Sequence, residues 1–276
     1  MKAEAVFDFM ICNDGICPVK ETSCFEKITK PAIYEVIKLK NGVPLFFGDH
    51  MERMRQSADM LNTSIEKDNQ EIKDKIADLS EKNNCLDNNV KLLWSKTTDK
   101  TLFLIYFIPT EYPSDKEYLH GIHTILFNGT RKNPHIKTQN TSFREEILKK
   151  RQKVNAYEAL LVDENGYITE GSRSNFFFME KKMICTPPSE AALLGVTRKK
   201  ILEICHMLKI DVIEKALELE RLNQIEGAFI TGTTVDVLAI GSIEDKKLDS
   251  LANPVIKKIN DKYKRMATDY ISTNML

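Results

Sequence analysis

Apolar and polar residues partly alternate along Ile33-Tyr34-Glu35-Val36-Ile37-Lys38-Leu39, a run of strand-forming composition. Asn41-Gly42 then supplies hairpin-turn chemistry. Val43-Pro44-Leu45-Phe46-Phe47 reads as the returning strand, with its proline near the start, where it is tolerated. Asp49 is placed to cap a helix from His50 to Leu61, in which Met51, Met54, Ala58 and Leu61 share one face. A charged helical stretch follows from about Ile65 to Leu79. Strands over Val90 to Ser95 and Thr101 to Ile108 come next, separated by the turn-like Lys96-Thr97-Thr98-Asp99-Lys100. Two prolines between Pro109 and Lys116 mark a boundary. They divide the chain into a smaller N-terminal α/β domain, residues 1–116, and a larger C-terminal domain, residues 117–276.

The larger domain opens on a strand, Gly121 to Phe127, followed by a Lys-, Arg- and Glu-rich helix over about Ser142 to Ala156. The strand Ala159 to Asp163 leads through Glu164-Asn165-Gly166 into a second strand. Leu194-Gly195-Val196-Thr197 opens a helix that carries Ile201, Ile204, Cys205 and Leu208 on one face. The strand Ala228-Phe229-Ile230 runs into Thr231-Gly232-Thr233-Thr234, and a last helix covers about Asn253 to Tyr270. No internal repeat or low-complexity tract is present.

With 276 residues the chain can bury a sizeable core. Its 40 basic and 40 acidic residues balance, so no electrostatic term favours nucleic acid or an anionic membrane, and a small-molecule ligand or a protein partner is expected. The six cysteines include no Cys-x-x-Cys pair and are spread too thinly for a disulfide scaffold. Only five histidines occur, which speaks against a zinc site. Neither a signal-peptide pattern nor a run of ~20 apolar residues is present, so a cytoplasmic protein is expected.

Candidate chemistry begins with Gly166-Tyr167-Ile168-Thr169-Glu170-Gly171-Ser172-Arg173-Ser174-Asn175-Phe176-Phe177-Phe178, where a strand ends on an acid, crosses small polar residues and resumes as a strand. Two of only 11 glycines flank the acid, which implies a tight backbone path. A rigidly held carboxylate there can accept a charge-assisted hydrogen bond from a ring nitrogen or an arginine. The alternative is a hairpin with an ordinary turn glutamate. Gly195-Val196-Thr197 stands at a helix start, where free N–H groups favour a phosphate. The run Thr231 to Thr234 offers hydroxyls and amides for the same purpose. Lys137 precedes the polar run Thr138-Gln139-Asn140-Thr141; desolvated, it could form an imine with a carbonyl cofactor, and otherwise it is a solvated loop lysine.

Together these stretches resemble the fold-type IV pyridoxal-phosphate enzymes, which include branched-chain aminotransferases, D-amino acid aminotransferases and 4-amino-4-deoxychorismate lyases. The resemblance runs from about Tyr34 to beyond Val237. It is carried by Asp49-His50-Met51-Glu52-Arg53, Lys137, the run from Tyr167 to Asn175, and Leu194-Gly195-Val196-Thr197-Arg198, in the family's order, with Thr231 to Thr234 extending it. It implies the D-amino acid aminotransferase-like architecture, a two-domain α/β fold with pyridoxal 5′-phosphate in the cleft between domains. It also implies a homodimer in which a first-domain loop of one subunit closes the site of the other. By the same resemblance Lys137 would bond the cofactor's aldehyde carbon and shuttle a proton between the substrate Cα and the cofactor's C4′. Glu170 would pair with the pyridine nitrogen and keep the ring an electron sink. Arg53, the amides of Val196 and Thr197, the Thr197 hydroxyl and the Thr233 turn would hold the phosphate, and Tyr34 would face the substrate.

The chain also departs from the family's pattern. Phe25-Glu26-Lys27-Ile28-Thr29-Lys30-Pro31 stands where a glycine-rich acidic stretch is usual. The region Tyr106-Phe107-Ile108-Pro109-Thr110 has neither the Arg-x-His pair of the D-amino acid enzymes nor the arginine of the branched-chain enzymes. Arg173 is a candidate for holding the substrate carboxylate and equally a candidate for a structural salt bridge; Arg131 and Arg144 are further candidates. The resemblance implies an aminotransferase working between a branched-chain-like or D-amino acid and a 2-oxo acid. The alternative is a lyase releasing pyruvate and 4-aminobenzoate from aminodeoxychorismate. Asn140 and Asn133-Pro134-His135 are similar to the lyase subgroup, whereas Val36 stands where lyases tend to have threonine. A cofactor-binding protein without turnover is a third reading, against which Lys137 and Glu170 argue together.

Overall fold

A computed structural model of the chain describes residues 4–20, 23–96, 101–131, 135–138 and 141–275. The expected turn over 97–100, and Asn133, Pro134, Gln139 and Asn140, lie outside the described residues. The chain forms two compact units. One is Met1–Glu111 with Ile136–Gln139 and Ala267–Leu276; the other is Tyr112–His135 with Asn140–Met266.

The first unit contains β1 (Phe9–Cys12), β2 (Gly15–Pro18), β3 (Ile33–Lys40), β4 (Val43–Pro44), α1 (Phe47–Asp59), α2 (Asn69–Lys82), β5 (Asn88–Lys96) and β6 (Thr101–Phe107). Its strands form one sheet in the order β2-β1-β6-β5-β3-β4, antiparallel throughout. The two-residue period of β3 sends successive side chains to opposite faces. Ile33, Ile37 and Leu39 join a core with Met51 and Met54 of α1 and Ile72, Ile76 and Leu79 of α2. Tyr34 joins a second cluster with Met10, Leu93, Leu104 and Tyr106 on the other face. Each large apolar side chain buried this fully contributes about 1.5–3 kcal/mol.

Turn chemistry sets the local boundaries. Asn41 (φ 51°) and Gly42 (φ 77°) both adopt the left-handed region that a two-residue hairpin turn requires. The returning strand expected over Val43 to Phe47 stops at Pro44, because Phe46 is left-handed (φ 51°) and α1 starts at Phe47. Asp49 therefore lies inside the first turn of α1 rather than at its cap, where its charge still suits the helix dipole. The next helix begins at Asn69 rather than near Ile65, since the Asp68 carboxylate accepts the Glu71 N–H at 2.8 Å. The cysteine spacing suggests no disulfide scaffold, yet one bridge forms. Cys12, ending β1, bonds Cys24 across a Cα–Cα distance of 6.7 Å, because both pack on the Tyr34 face of the sheet.

The second unit contains α3 (Asp115–His120), β7 (Ile122–Asn128), α4 (Thr141–Lys153), β8 (Glu158–Val162), β9 (Tyr167–Gly171), β10 (Asn175–Glu180), β11 (Met183–Thr186), α5 (Val196–Met207), β12 (Val212–Glu214), β13 (Leu217–Glu218), β14 (Gly227–Gly232), β15 (Asp236–Ile243) and β16 (Lys246–Lys247). It also holds most of α6 (Pro254–Asn274). The strand order is β12-β11-β10-β14-β15-β7-β8-β9-β13, with β16 on β15. β7 and β8 are parallel, as the crossover through α4 demands. β9 and β10 are joined by three residues, yet β8, β7, β15 and β14 lie between them in the sheet. The sheet therefore curls until β9 meets β10 at that connection, which is closed by hydrogen bonds between the backbones of Gly171 and Ser174. The two strands do not form the hairpin that the sequence allows: β9 pairs with β8 and β13, and β10 with β11 and β14.

Among the described residues no helix is long and apolar enough to cross a membrane, and no group of three or more His, Cys, Asp or Glu could hold a metal ion.

Candidate active site

In the first unit the expected site residues lie on and around β3. Because β4 is only two residues long, the start of β3 keeps a free edge. The segment 136–138 takes that edge: the Tyr34 N–H donates to the Lys137 carbonyl at 3.1 Å, and Ile33 bridges Thr138. This backbone docking brings Lys137 to Tyr34, and the Lys137 Nζ lies 5.2 Å from the centre of the Tyr34 ring. A second amine shares that ring. The Nζ of Lys91, on the neighbouring strand β5, lies 4.9 Å from its centre.

Arg53 lies in the same unit but projects from α1 toward the other face of the sheet. Glu35, fully buried on β3, accepts from its Nε at 2.7 Å and its Nη2 at 2.6 Å, and from His50 Nδ1 at 2.8 Å. The three-residue spacing of His50 and Arg53 puts both on one helix face. Burial acts to raise the Glu35 pKa, but the Arg53 charge and the hydrogen bonds from His50 and Arg53 outweigh it and hold the carboxyl far below the usual range. Burial lowers the His50 pKa, assisted by the charges of Arg53 and Lys137 against the opposing pull of Glu35. His50 is thus neutral near pH 7. The ionised Glu35 only accepts, so the ring proton sits on Nδ1. This network has no obvious marker in the sequence beyond a glutamate at an apolar strand position.

In the second unit Glu170 is the last residue but one of β9, 2% exposed. Its Oε1 is 3.2 Å from Arg131 Nε, and its Oε2 accepts the Leu193 N–H at 3.2 Å. Arg131 also donates from Nη2 to the Ser172 carbonyl at 2.7 Å. An arginine ahead of Lys137 thus orients the acid of the motif. Arg173 turns elsewhere: Nη2 donates to the Tyr157 carbonyl at 3.3 Å, and Nε is 3.9 Å from buried Glu158. Glu158 is the hub of the bend after Glu170, accepting from the Ser172 and Ser174 hydroxyls at 2.5 and 3.1 Å. The sequence reading missed it because its partners become its neighbours only through the β8–β9 pairing. Arg144 lies in the first turns of α4.

Leu193 ties this acid to a helix start. Its N–H goes to Glu170, and its carbonyl accepts from Asn175 Nδ2 at 2.7 Å. Two residues later Gly195 begins α5 with no side-chain cap, so the first-turn N–H groups, Val196 and Thr197 among them, have no acceptor within the helix. A Cβ on Gly195 would fall 1.9 Å from Asn175 Oδ1, so only glycine lets the chain pass here. Thr197 is buried, and its side chain hydrogen-bonds the phenol of Tyr263. Thr231, the strand partner of Asn175, is fully buried, and its hydroxyl has no hydrogen-bond partner among the described residues. Thr233 stands in the turn between β14 and β15.

Three comparisons place this arrangement among known proteins. A family model described as amino-transferase class IV matches residues 32–243. The D-alanine aminotransferase of Bacillus licheniformis is 28% identical over 240 residues, covering 82% of this chain and 84% of that protein. A probable branched-chain-amino-acid aminotransferase of Rickettsia typhi is 30% identical over 232 residues, covering 79% of this chain and 80% of that protein. Among solved structures, the branched-chain amino acid aminotransferase of Escherichia coli shares the fold, with a TM-score of 0.82 at 21% identity over 96% of each chain.

Proposed function

This chain belongs to the class IV aminotransferases, a family of pyridoxal-phosphate enzymes, and we propose that it moves an amino group between a branched-chain or D-amino acid and a 2-oxo acid. The observation that carries this reading is the pair of bonds made by Leu193. They fix a buried carboxylate and an uncapped helix N-terminus a few residues apart.

The residues present fit the cofactor. Backbone N–H groups at the start of α5, the orphaned Thr231 hydroxyl and the cradle at Gly195 are what a phosphate needs. Val196, Thr197 and Thr233 would hold the phosphate, and Arg53 would add charge to it from the network anchored by Glu35. Glu170, kept in place by Arg131, would hold the proton on the ring nitrogen. Bound there, pyridoxal phosphate supplies an electron sink for the electrons left at the substrate Cα. Lys137 would move the proton at that carbon, its amine positioned by the backbone bonds of 137–138 to β3 and by the Tyr34 ring. Tyr34 would line the substrate's place. The reading includes a homodimer in the cytoplasm, which size-exclusion chromatography with light scattering and cell fractionation would check.

The visible spectrum of the purified holoenzyme tests the proposal while L- and D-amino acids are added singly. Bleaching of the cofactor band to the amine form by one amino acid is the expected result and identifies the substrate's handedness. A band that no amino acid moves overturns the transaminase reading in favour of the lyase.

A further inference from the structure

Tyr263 of α6 is fully buried, and its phenol meets two elements that are distant in sequence but lie in the same unit. It hydrogen-bonds the side chain of Thr197 at the start of α5, and its hydroxyl donates to Asp236 Oδ1 at 3.4 Å. Asp236 is the first residue of β15 and pairs with Gly232, so it closes the turn that carries Thr233. Its backbone is left-handed (φ 53°), a conformation that aspartate tolerates better than most residues. A second phenol braces this turn, since the Tyr118 hydroxyl donates to the Val235 carbonyl at 3.5 Å. The helix start and the turn are the two elements proposed above to hold the cofactor phosphate, and one buried hydroxyl ties them together.

The phenol has one proton and two neighbours. A carboxylate only accepts, so in this structure the proton goes to Asp236, and the Thr197 hydroxyl donates to the phenol oxygen. A phosphate oxygen with no proton also only accepts. For Thr197 to donate to it, the threonine hydroxyl must turn its proton away from Tyr263, and its oxygen then needs a donor on that side. The phenol is that donor, while the half-buried Asp236 carboxylate can take water in exchange. A phenylalanine ring would fill the same space and supply no proton.

Resting on the cofactor reading above, we infer that Tyr263 is a positioning residue that joins the start of α5 and the Thr233 turn into one phosphate-holding unit. With Thr197 donating to a phosphate, Tyr263 donates to Thr197 and holds its hydroxyl in that direction. Tyr263 thereby makes the site select pyridoxal phosphate over pyridoxal, although it touches neither.

The test titrates the full-length apo chain with pyridoxal phosphate and, separately, with pyridoxal, each followed by absorbance at equilibrium. Wild type should bind the phosphorylated form far more tightly. Tyr263→Phe should weaken pyridoxal phosphate about tenfold, the scale of one lost hydrogen bond, and leave pyridoxal within about twofold. Thr197→Val should show at least as large a loss, again confined to the phosphorylated form. Adding Tyr263→Phe to Thr197→Val should then weaken binding by no more than about a further twofold, because the phenol acts through the threonine hydroxyl. Unchanged affinity in Tyr263→Phe, equal losses for both ligands, or full additivity in the double variant overturns the assignment. If Tyr263→Phe does not fold, fluorine NMR of the chain with 3-fluorotyrosine in place of Tyr263 decides. Its resonance should shift with pyridoxal phosphate and with inorganic phosphate but not with pyridoxal, and a resonance that no phosphate moves overturns the assignment. None of these readouts requires turnover. A chain that selects the phosphate through Tyr263 while no amino acid changes its spectrum would keep this inference and lose the transaminase reading.

Discussion

Arg131 Nε stands 3.2 Å from Glu170 Oε1, and the same guanidinium reaches over to the Ser172 carbonyl. This pairing fixes the direction in which the carboxylate of the motif points. Glu170→Gln keeps the side-chain shape but removes the charge. It should leave the fold and cofactor binding intact and slow turnover about 10²–10³-fold, the scale of losing one aligned electrostatic partner. Single-turnover spectroscopy checks this, and a normal rate removes Glu170 from its role.

Lys137 is only partly buried, and its link to β3 is made by backbone atoms. Lys137→Ala should therefore abolish turnover, by about 10³-fold or more, without altering stability by more than about 0.5 kcal/mol. Thermal melts beside the activity assay separate the two effects. Undiminished activity in this variant would sink the site assignment.

Glu35 carries opposite consequences. Removing it takes away the buried carboxylate to which Arg53 and His50 both donate, so Glu35→Ala should cost about 3–5 kcal/mol. Urea denaturation of the apo chain measures the loss directly. A change below about 1 kcal/mol would show that this network contributes little to stability.

The pH dependence follows from the same cluster. The folded pKa of His50 lies below its ordinary 6.5, so its contribution to stability is present above about pH 6.5 and is lost as pH falls through the folded value. Glu35 acts in the same sense, beginning from an ordinary value of 4.5. The melting temperature should hold between pH 7 and 8, decline below about pH 6.5 and decline faster below about pH 4.5. His50→Asn should remove the first decline, which a series of melts at constant ionic strength would reveal.

Gly195→Ala would set a methyl group 1.9 Å from Asn175 Oδ1, in a backbone conformation that alanine otherwise tolerates. Asn175 is held by Leu193 and cannot swing away freely. The variant should lose about 1–3 kcal/mol and bind the cofactor at least tenfold more weakly, as followed by titrating apoenzyme with pyridoxal phosphate. Unchanged affinity would detach this turn from phosphate binding.

Much of the fold was legible because local patterns and tertiary structure agree. The period of β3 and the Ile201, Ile204 and Cys205 stripe of α5 bury the faces they advertise, and Asn41-Gly42 takes the left-handed turn its chemistry favours. Boundaries were less legible. Phe46 takes a left-handed conformation that its own chemistry does not favour, and this moves the start of α1. Lys91 was passed over because a lone lysine inside a strand looks like an outward-facing residue; only the β3–β5–β6 register turns it toward Tyr34.

The sequence by itself determined which residue types were at hand for the chemistry. It supplied an acid set between glycines, a glycine-led helix start, and a lysine before a polar run, because short-range turn and capping chemistry is written in adjacent residues. Tertiary structure alone decided which residues stand together. Lys137 reaches Tyr34 because β4 is short enough to leave an edge of β3 open, and Arg131 reaches Glu170 through the folding of the second unit. Such contacts depend on strand order and sheet curl, which arise from the packing of distant apolar faces rather than from neighbours in the chain.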